Sequence, residues 1–267
     1  MNKYRRILAS IILVMSGIAF TSSVQGESDD RIMHVLYVTG GGWHDYDAQA
    51  PIVVQIIREA LAEVGLNKVN ITTSNVGHPR QDSRFERHPV FEREDWAEGF
   101  DLVVYNKCNA PRFSDDAWVE RIVTPHREGL PAVLIHGTLH NFWPDEERTG
   151  LWNAFCGITS RNHERPGQKV TTHVRMPDHP IMNGLPEQWS HGKGELYRVH
   201  GMQEGVQVLA VGVSGEGVEH PILWTHQFGK GRVFGNSLGH ATETFEGTEF
   251  QKVMRQGIQW AIGKLAE

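Results

Sequence analysis

Three short apolar runs most constrain the fold of this chain. They are rich in β-branched residues and end at turn-forming residues, and they cover 33–38 (MHVLYV), 101–106 (DLVVYN) and 131–137 (PAVLIHG). Because these runs are continuously apolar rather than alternating, they predict strands that are covered on both faces, as in a parallel sheet. Parallel strands need crossover connections, so we expect helices between them.

Helical patterns lie between those runs. Apolar residues recur every four positions from Ile52 to Val64 and predict a helix over 48–64. A further strand is predicted over 69–74, and a second helix passes through Trp118 ahead of the third apolar run. This alternation predicts a single α/β domain of flavodoxin-like architecture, with a mostly parallel sheet flanked by helices.

The character of the sequence changes after Gly157. Five strand-like runs follow at short intervals, at 170–176, 195–200, 206–212, 221–227 and 232–239. The sequence Gly-Lys-Gly at 229–231 predicts a hairpin between the last two runs. The chain closes with a predicted helix over 250–262. We therefore expect the sheet to continue with some antiparallel pairing at one edge.

The first residues predict a secretory signal peptide. Basic residues at the start are followed by an apolar run over 7–20 and by small residues that suit signal peptidase, so we expect 1–26 to be removed. An uncleaved anchor is the alternative, although a membrane span normally needs about 20 apolar residues. We expect one domain over 27–267, exported to the periplasm or secreted, with no membrane contact after cleavage.

The predicted mature chain is acidic. Residues 1–26 hold three of the 26 Lys and Arg residues and none of the 32 Asp and Glu residues, which leaves a net charge of −9. A nucleic-acid partner would need a basic face, so that class is excluded. The two cysteines, Cys108 and Cys156, are expected to be buried thiols, although export leaves a disulfide open. Self-association into a homo-oligomer also stays open.

Polar residues follow the predicted strands. His44 and Asp45 come directly after the first apolar run, His136 ends the third, and His240 ends the last strand-like run. Ligands of open α/β sheets bind outside the carboxyl ends of the strands. We therefore expect these side chains to meet at one rim. Glu195 begins another strand-like run and is a further catalytic candidate.

Other residues complete the predicted site. Tyr197 lies two positions after the candidate carboxylate and can donate a hydrogen bond. Gly42 and Gly137 allow a ligand to approach the backbone closely. Trp43 and Trp224 are aromatic residues that can contact the apolar face of a sugar ring. We therefore predict these four residues to bind substrate.

Several familiar sites are absent from the sequence. It has no Gly-x-Ser-x-Gly elbow, no Gly-x-Gly-x-x-Gly after a strand, no phosphate loop and no His-Glu-x-x-His. The histidines outside the predicted rim lie in polar segments and are expected to be solvated. These are His78, His88, His126, His191 and His220.

Four segments together resemble the ThuA-like (trehalose utilisation) family. They are VTGGGWHDY at 38–46, DHPIMNGLP at 178–186, ELY at 195–197 and the long segment 221–263, and the resemblance covers about 32–264. It implies a fold related to class I glutamine amidotransferases and a role in the catabolism of trehalose and related 3-keto-glycosides. The long closing segment is the most specific of the four.

The resemblance also argues against glutaminase activity. His136 lies about where those amidotransferases place a nucleophilic cysteine, and an imidazole cannot form the thioester that glutamine hydrolysis uses. His240 lies where a late site histidine is expected. Its nearest following acid, Glu243, is three residues on rather than two.

Two chemistries are open for a small carbohydrate substrate. The imidazoles could transfer protons, because histidine titrates near neutral pH. Alternatively, His44, His136 and His240 could bind a divalent metal such as Zn²⁺, with Glu195 as a fourth ligand or general base. In either case Tyr197 would donate to a developing oxyanion. The competing function is a carbohydrate-binding protein without catalysis, which would use Trp43, Trp143 and Trp224.

Overall fold

The computed structural model describes residues 31–77, 87–108, 115–143 and 150–265. The predicted signal peptide over 1–26 and the predicted solvated His78 lie outside these ranges. Within them, no helix is long and apolar enough to cross a membrane.

The structure is a single α/β domain, with eleven strands and five α-helices in the described ranges. The strands are β1 (Met33–Gly41), β2 (Val69–Asn75), β3 (Leu102–Cys108), β4 (Ala132–Ile135), β5 (Ile158–His163), β6 (Gln168–Val174), β7 (Gln188–Gly194), β8 (Tyr197–Met202), β9 (Gln207–Val213), β10 (Glu219–Phe228) and β11 (Gly231–Asn236). The helices are α1 (Tyr46–Ala62), α2 (Asp116–Glu128), α3 (Leu151–Cys156), α4 (Thr242–Phe245) and α5 (Thr248–Ala261).

Nine strands form one sheet in the order β2-β1-β3-β4-β11-β10-β9-β6-β7. The first five run parallel, and each of the last four is antiparallel to its neighbour. The predicted fold class is confirmed, and the antiparallel pairing covers four strands rather than an edge. The strand order reverses between β1 and β3, which is where α/β folds bind ligands.

The parallel strands are buried on both faces, as their continuous apolar runs predict. Alternate residues of β1 contribute to two separate core clusters, with Val35 in one and Leu36 in the other. Helices α1 and α5 cover the first face, and α2 and α3 cover the second. This burial holds the carboxyl ends of the parallel strands in a fixed arrangement.

The structure corrects two details of the sequence prediction. The run 195–200 is not one strand, because β7 ends at Gly194 and β8 begins at Tyr197. Glu195 therefore lies in the link between two strands. Strand β8 pairs with β5 in a separate two-stranded sheet, and β5 was not predicted.

The prediction that the remaining histidines are solvated is wrong. His88, His126, His191 and His220 are all buried. His126 shows how burial is tolerated: its ring nitrogens lie 2.8 Å from the Tyr105 hydroxyl and 2.8 Å from the Leu130 carbonyl oxygen. Burial lowers the pKa of His126 to about 4, so it is a neutral core residue.

Candidate functional site

Three histidines meet at the carboxyl ends of the parallel strands. His44 follows β1, His136 follows β4 directly, and His240 follows β11. The ring centroid of His44 lies 4.8 Å from that of His136 and 5.4 Å from that of His240. The centroids of His136 and His240 are 5.7 Å apart. The parallel direction of the strands produces this meeting, because their carboxyl ends share one edge of the sheet.

The three consecutive glycines bring His44 to this edge. Gly40 and Gly41 have φ values of 105° and 109°, which favour glycine. A Cβ on Gly41 would lie 2.1 Å from the carbonyl oxygen of Cys108, and Gly42 donates its N–H to the same oxygen at 2.9 Å. The turn therefore packs directly on the end of β3, and Gly42 contributes a backbone hydrogen bond there.

His136 occupies a strained turn. Its φ of 40° lies in the left-handed region that non-glycine residues rarely adopt. Its Nδ1 lies 2.6 Å from the carbonyl oxygen of Ser237, so Nδ1 must carry the proton that this hydrogen bond requires. The other ring nitrogen, Nε2, faces Glu195, whose Oε2 is 3.1 Å away.

Glu195 connects the histidines. Its Oε2 is also 3.5 Å from Nδ1 of His240, and its Oε1 lies 3.2 Å from Nδ1 of His163. Burial raises the pKa of Glu195, but its interactions with the imidazoles of His136 and His240 outweigh that effect and hold it well below its usual range. The carboxylate is therefore ionised at neutral pH.

His44 is neutral. Burial lowers its pKa well below the usual value, and His136 and His240 lower it further. Its Nδ1 lies 3.0 Å from the Tyr46 hydroxyl. Its Nε2 is buried and has no hydrogen-bond partner among the described residues, and such atoms are uncommon in folded proteins.

These four residues could hold a metal ion. One ligand atom each from His44, His136, Glu195 and His240 lies within 4.8 Å of all the others. Nε2 of His136 faces an ionised carboxylate at 3.1 Å, so a proton or a cation must lie between them. Nitrogen and carboxylate ligands of this kind suit Zn²⁺ and similar divalent metals. The residues present fit such an ion.

The cluster opens into a cavity of about 320 Å³. The lining residues are mostly aromatic or imidazole side chains: Trp43, His44, Cys108, His140, Trp143, Arg161, His163, Pro166, Glu195, Tyr197 and His240. Trp43 is 51% exposed at the cavity. Indole rings beside polar groups are suited to sugar rings.

Tyr197 and His140 form one wall. Their rings stack at 3.9 Å between centroids with only 7° between planes. Burial, together with the charge of Glu195, raises the pKa of Tyr197 well above its usual value, so the phenol keeps its proton. The Tyr197 hydroxyl lies 3.3 Å from Nε2 of His136. Burial and the neighbouring His136 and His163 lower the pKa of His140 to about 3.

Two residues predicted for the site lie elsewhere. Asp45 is exposed, does not line the cavity, and accepts a hydrogen bond from the N–H of Ala48 as the N-cap of α1. Trp224 is fully buried in the core, and its Nε1 donates to the carbonyl oxygen of Cys156 at 2.8 Å. Trp224 therefore cannot contact a substrate in this cavity.

Gly42 and Gly137, which were also predicted to bind substrate, are not among the residues that line the cavity. Gly137 is a packing position. A Cβ there would lie 2.9 Å from Cβ of Cys108 and 3.2 Å from Cε1 of His44.

Cys108 and Cys156 are both buried, unpaired thiols, and burial raises the pKa of Cys108 to about 12. Glu243, the acid that follows His240 in sequence, forms an exposed ion pair with Lys193. Glu195 is the acid that contacts His240.

Sequence reasoning missed His163, Arg161 and Tyr46. The first two lie on β5, whose run ITSRNH shows neither an apolar run nor clear alternation. Tyr46 lies in the first turn of α1, two residues after His44, and only its hydroxyl contact reveals its place. No signal in the sequence connects these residues to Glu195 or to His44.

The family model that matches this chain is described as ThuA, trehalose utilisation, and it covers residues 34–261. The chain belongs to the ThuA family. Membership indicates a carbohydrate-related role and a small sugar ligand. A search of curated proteins finds no match.

Solved structures agree with the ThuA fold. A protein described as ThuA-like from Parabacteroides merdae is 19% identical, with 89% of this chain and 92% of that chain covered and a TM-score of 0.62. A second ThuA-like protein, from Bacteroides uniformis, is 15% identical, with coverage of 87% and 92% and a TM-score of 0.62. A β-galactosidase from Rahnella sp. R3 is 14% identical, with a TM-score of 0.53. The match covers 89% of this chain but only 32% of the β-galactosidase chain.

Proposed function

We propose that this ThuA-family protein is an enzyme that cleaves 3-keto-disaccharides or related 3-keto-glycosides, with a divalent cation held by His44, His136, Glu195 and His240. One observation carries the proposal: four ligand atoms converge within 4.8 Å beside a cavity with an exposed indole. Family membership supports a sugar as the ligand. The inner residues do not suit glutamine hydrolysis, because the strained turn holds an imidazole rather than a thiol.

The chemistry follows from the ketone. A carbonyl at C3 of the sugar acidifies the hydrogen on C2. When a base removes that proton, the electron pair of the C–H bond forms an enolate. Its collapse forms a C1–C2 double bond and expels the glycosidic oxygen, which takes up a proton. Addition of water at C1 completes a net hydrolysis. This route needs no pair of carboxylates at glycosidase spacing.

The cation would polarise the ketone oxygen and so lower the cost of forming the enolate. The protein contributes the remaining groups. The Tyr197 phenol is protonated and 3.3 Å from Nε2 of His136, so it can donate a hydrogen bond to the developing oxyanion. Nδ1 of His163 lies near two acceptors, the Glu164 carbonyl at 2.7 Å and Glu195 at 3.2 Å. It therefore carries the proton, which leaves Nε2 of His163 able to accept one.

Metal analysis of tag-free protein, together with turnover of 3-keto-disaccharides, tests this proposal. We expect about one divalent ion per chain, and loss of both the ion and the turnover in His136→Ala. The matched control is His200→Ala, because His200 is exposed and lies outside the cavity. Turnover that survives complete chelation would contradict the role of the metal, and proton transfer by the imidazoles would then be the remaining mechanism.

The alternative function is sugar binding without catalysis. The exposed Trp43 at the cavity favours it, because such an indole can stack on a sugar ring whether or not a reaction follows. The same His136→Ala variant separates the two functions. A binding protein keeps most of its sugar affinity, measured by calorimetry, while an enzyme loses turnover.

We also propose that the protein is exported. The basic start, the apolar run and the small residues before position 27 support cleavage there. Sequencing the amino terminus of the protein isolated from cell fractions tests this. A mature chain that begins near residue 27 in the periplasm or medium is expected, and an intact start in the cytoplasm would contradict it.

A further inference from the structure

Arg161 is a cation at the cavity that pairs with no acid in the described part of the chain. It lies on β5, lines the cavity on the same strand as His163, and is exposed to solvent. No carboxylate among the described residues lies within ion-pair distance of its guanidinium. The contrast is Arg198 on the paired strand β8, which contacts Glu164 at 2.8 Å and Glu216 at 3.1 Å.

Among the described residues that line the cavity, no other charge is available to neutralise Arg161. Glu195 is the one carboxylate in that described lining. Both of its oxygens are already engaged, Oε2 with His136 and His240 and Oε1 with His163. A divalent cation at the inner cluster would add further positive charge. With that ion bound, the net charge of the cluster and Arg161 would be positive, and a cleft with a net positive charge concentrates anionic ligands.

We propose that the natural substrate is an anionic glycoside whose carboxylate or phosphate binds Arg161 while the reacting ring lies at the His–Glu cluster. This inference rests on the proposed function, since the cation in the cluster adds to the positive field. A guanidinium matches both anions, because it donates two parallel hydrogen bonds to a carboxylate or a phosphate. The shared chemistry is therefore a sugar that carries an anionic group.

The position of Arg161 sets the size of the expected effect. Its side chain is exposed, so the bound anion stays partly hydrated and the ion pair is screened by salt. Removal of the guanidinium should therefore weaken binding of the anion by about three- to tenfold rather than abolish it. The reacting atoms lie at the inner cluster, so the chemical step should change little.

Steady-state kinetics of the metal-loaded full chain tests this with three matched substrates: a neutral 3-keto-glucoside, a 3-keto-glucuronide and a 3-keto-glucoside 6-phosphate. In Arg161→Gln we expect KM to rise about three- to tenfold for an anionic substrate, with kcat within about twofold and the neutral substrate unaffected. Arg161→Lys should lie between, because it keeps the charge but loses the paired hydrogen bonds. The anionic substrate whose KM rises in Arg161→Gln shows whether the group bound by Arg161 is a carboxylate or a phosphate.

The matched control is Arg165→Gln, since Arg165 is an exposed arginine close in sequence that does not line the cavity. It should leave all three KM values unchanged. Raising the salt concentration should raise KM for the anionic substrate of the wild type and have little effect in Arg161→Gln. An equal rise of KM for neutral and anionic substrates in Arg161→Gln would overturn the proposal, because the guanidinium would then bind sugar hydroxyls.

Direct binding distinguishes failure of this inference from failure of the proposed function. If no 3-keto-glycoside is turned over, calorimetry with glucuronate and with glucose 6-phosphate is measured on the wild type and on Arg161→Gln. If either anion binds the wild type and binds more weakly to Arg161→Gln, the anion site is supported and the proposed enzymatic function is contradicted. If the neutral substrate is turned over and an anionic substrate is not preferred, the enzymatic function is supported and the anion site is contradicted. No binding of either anion overturns the inference.

Discussion

The two halves of the large sheet contribute different parts of the site. The parallel half places its three histidines at the ends of β1, β4 and β11, where the direction of the strands brings them together. The remaining chain, which forms the antiparallel strands and the small sheet, contributes Glu195 from the link between β7 and β8 and Tyr197 from the first position of β8. The three histidines are brought together by the direction of their strands, whereas the carboxylate that contacts them is placed there by the packing of a distant segment.

The two halves also differ in burial. Every residue of β3 is buried, whereas β7 alternates between exposed and buried positions. A strand packed on both faces holds a neighbouring side chain in one place, while a strand with a solvated face tolerates substitution. We infer that the parallel half sets the position of the three histidine ligand atoms, and that the other half supplies the Glu195 carboxylate and the shape of the cavity.

The largest effect is expected where the two halves meet. Glu195→Gln keeps the size of the side chain but removes the charge that binds His136 and His240. We expect turnover to fall about 100- to 1000-fold, together with loss of the bound metal. The double variant with His136→Ala should be little worse than either single variant, because residues that act as one unit are not additive.

The control for that variant is Glu216→Gln, which changes an exposed carboxylate that pairs with Arg198 away from the cavity. Its turnover should equal that of the wild type. Equal turnover of Glu195→Gln and Glu216→Gln would show that the parallel half works without the carboxylate, and the comparison between the halves would fail.

The second prediction compares one glycine from each half. In Gly137→Ala the new Cβ would lie 2.9 Å from Cβ of Cys108 and 3.2 Å from the Tyr46 hydroxyl, so the packing below His44 must shift. We expect a loss of about 1–3 kcal/mol in the free energy of unfolding. Gly192→Ala on β7 meets no atom within 4 Å and should be neutral. Urea denaturation of both variants measures this, and equal stabilities would contradict it.

The third and smallest effect concerns a buried amine in the parallel half. Lys107 on β3 is fully buried, and its Nζ lies 4.4 Å from the centroid of the Phe142 ring. Burial lowers the pKa of Lys107 to about 7. Because the amine keeps its usual, higher pKa in the unfolded chain, folding at neutral pH must remove its proton or bury its charge. We expect Lys107→Met to stabilise the protein by about 1–2 kcal/mol at pH 7.

The pH dependence of that gain has a definite sign. The cost of Lys107 is greatest at and below pH 7, where the folded amine is charged, and it declines as the pH rises toward the pKa of the unfolded chain. The advantage of Lys107→Met should therefore fade by about pH 10. Lys193→Met on β7 is the control, because Lys193 is exposed and paired with Glu243. A gain that is constant from pH 6 to pH 10 would contradict this explanation.

The sequence by itself determined the α/β class and the meeting of three histidines, and it also predicted Glu195, Tyr197 and Trp43 for the site. Continuous apolar runs predict strands buried on both faces, and such strands must run parallel with helices across them. Their carboxyl ends then share an edge, so His44, His136 and His240 could be expected together before any coordinates were known. The same local pattern predicted helix α1 and the hairpin between β10 and β11, which the structure confirms.

Only the tertiary structure decided which other side chains reach that edge. Asp45 follows the same strand as His44, yet it caps α1, and Trp224 lies within the core although its sequence context is polar on one side. His163 and Arg161 come from β5, whose pairing with β8 has no local signature. Burial of a strand on both faces is visible in the strand's own residues, whereas the approach of distant segments depends on how whole layers pack, and one stretch of sequence does not contain that information.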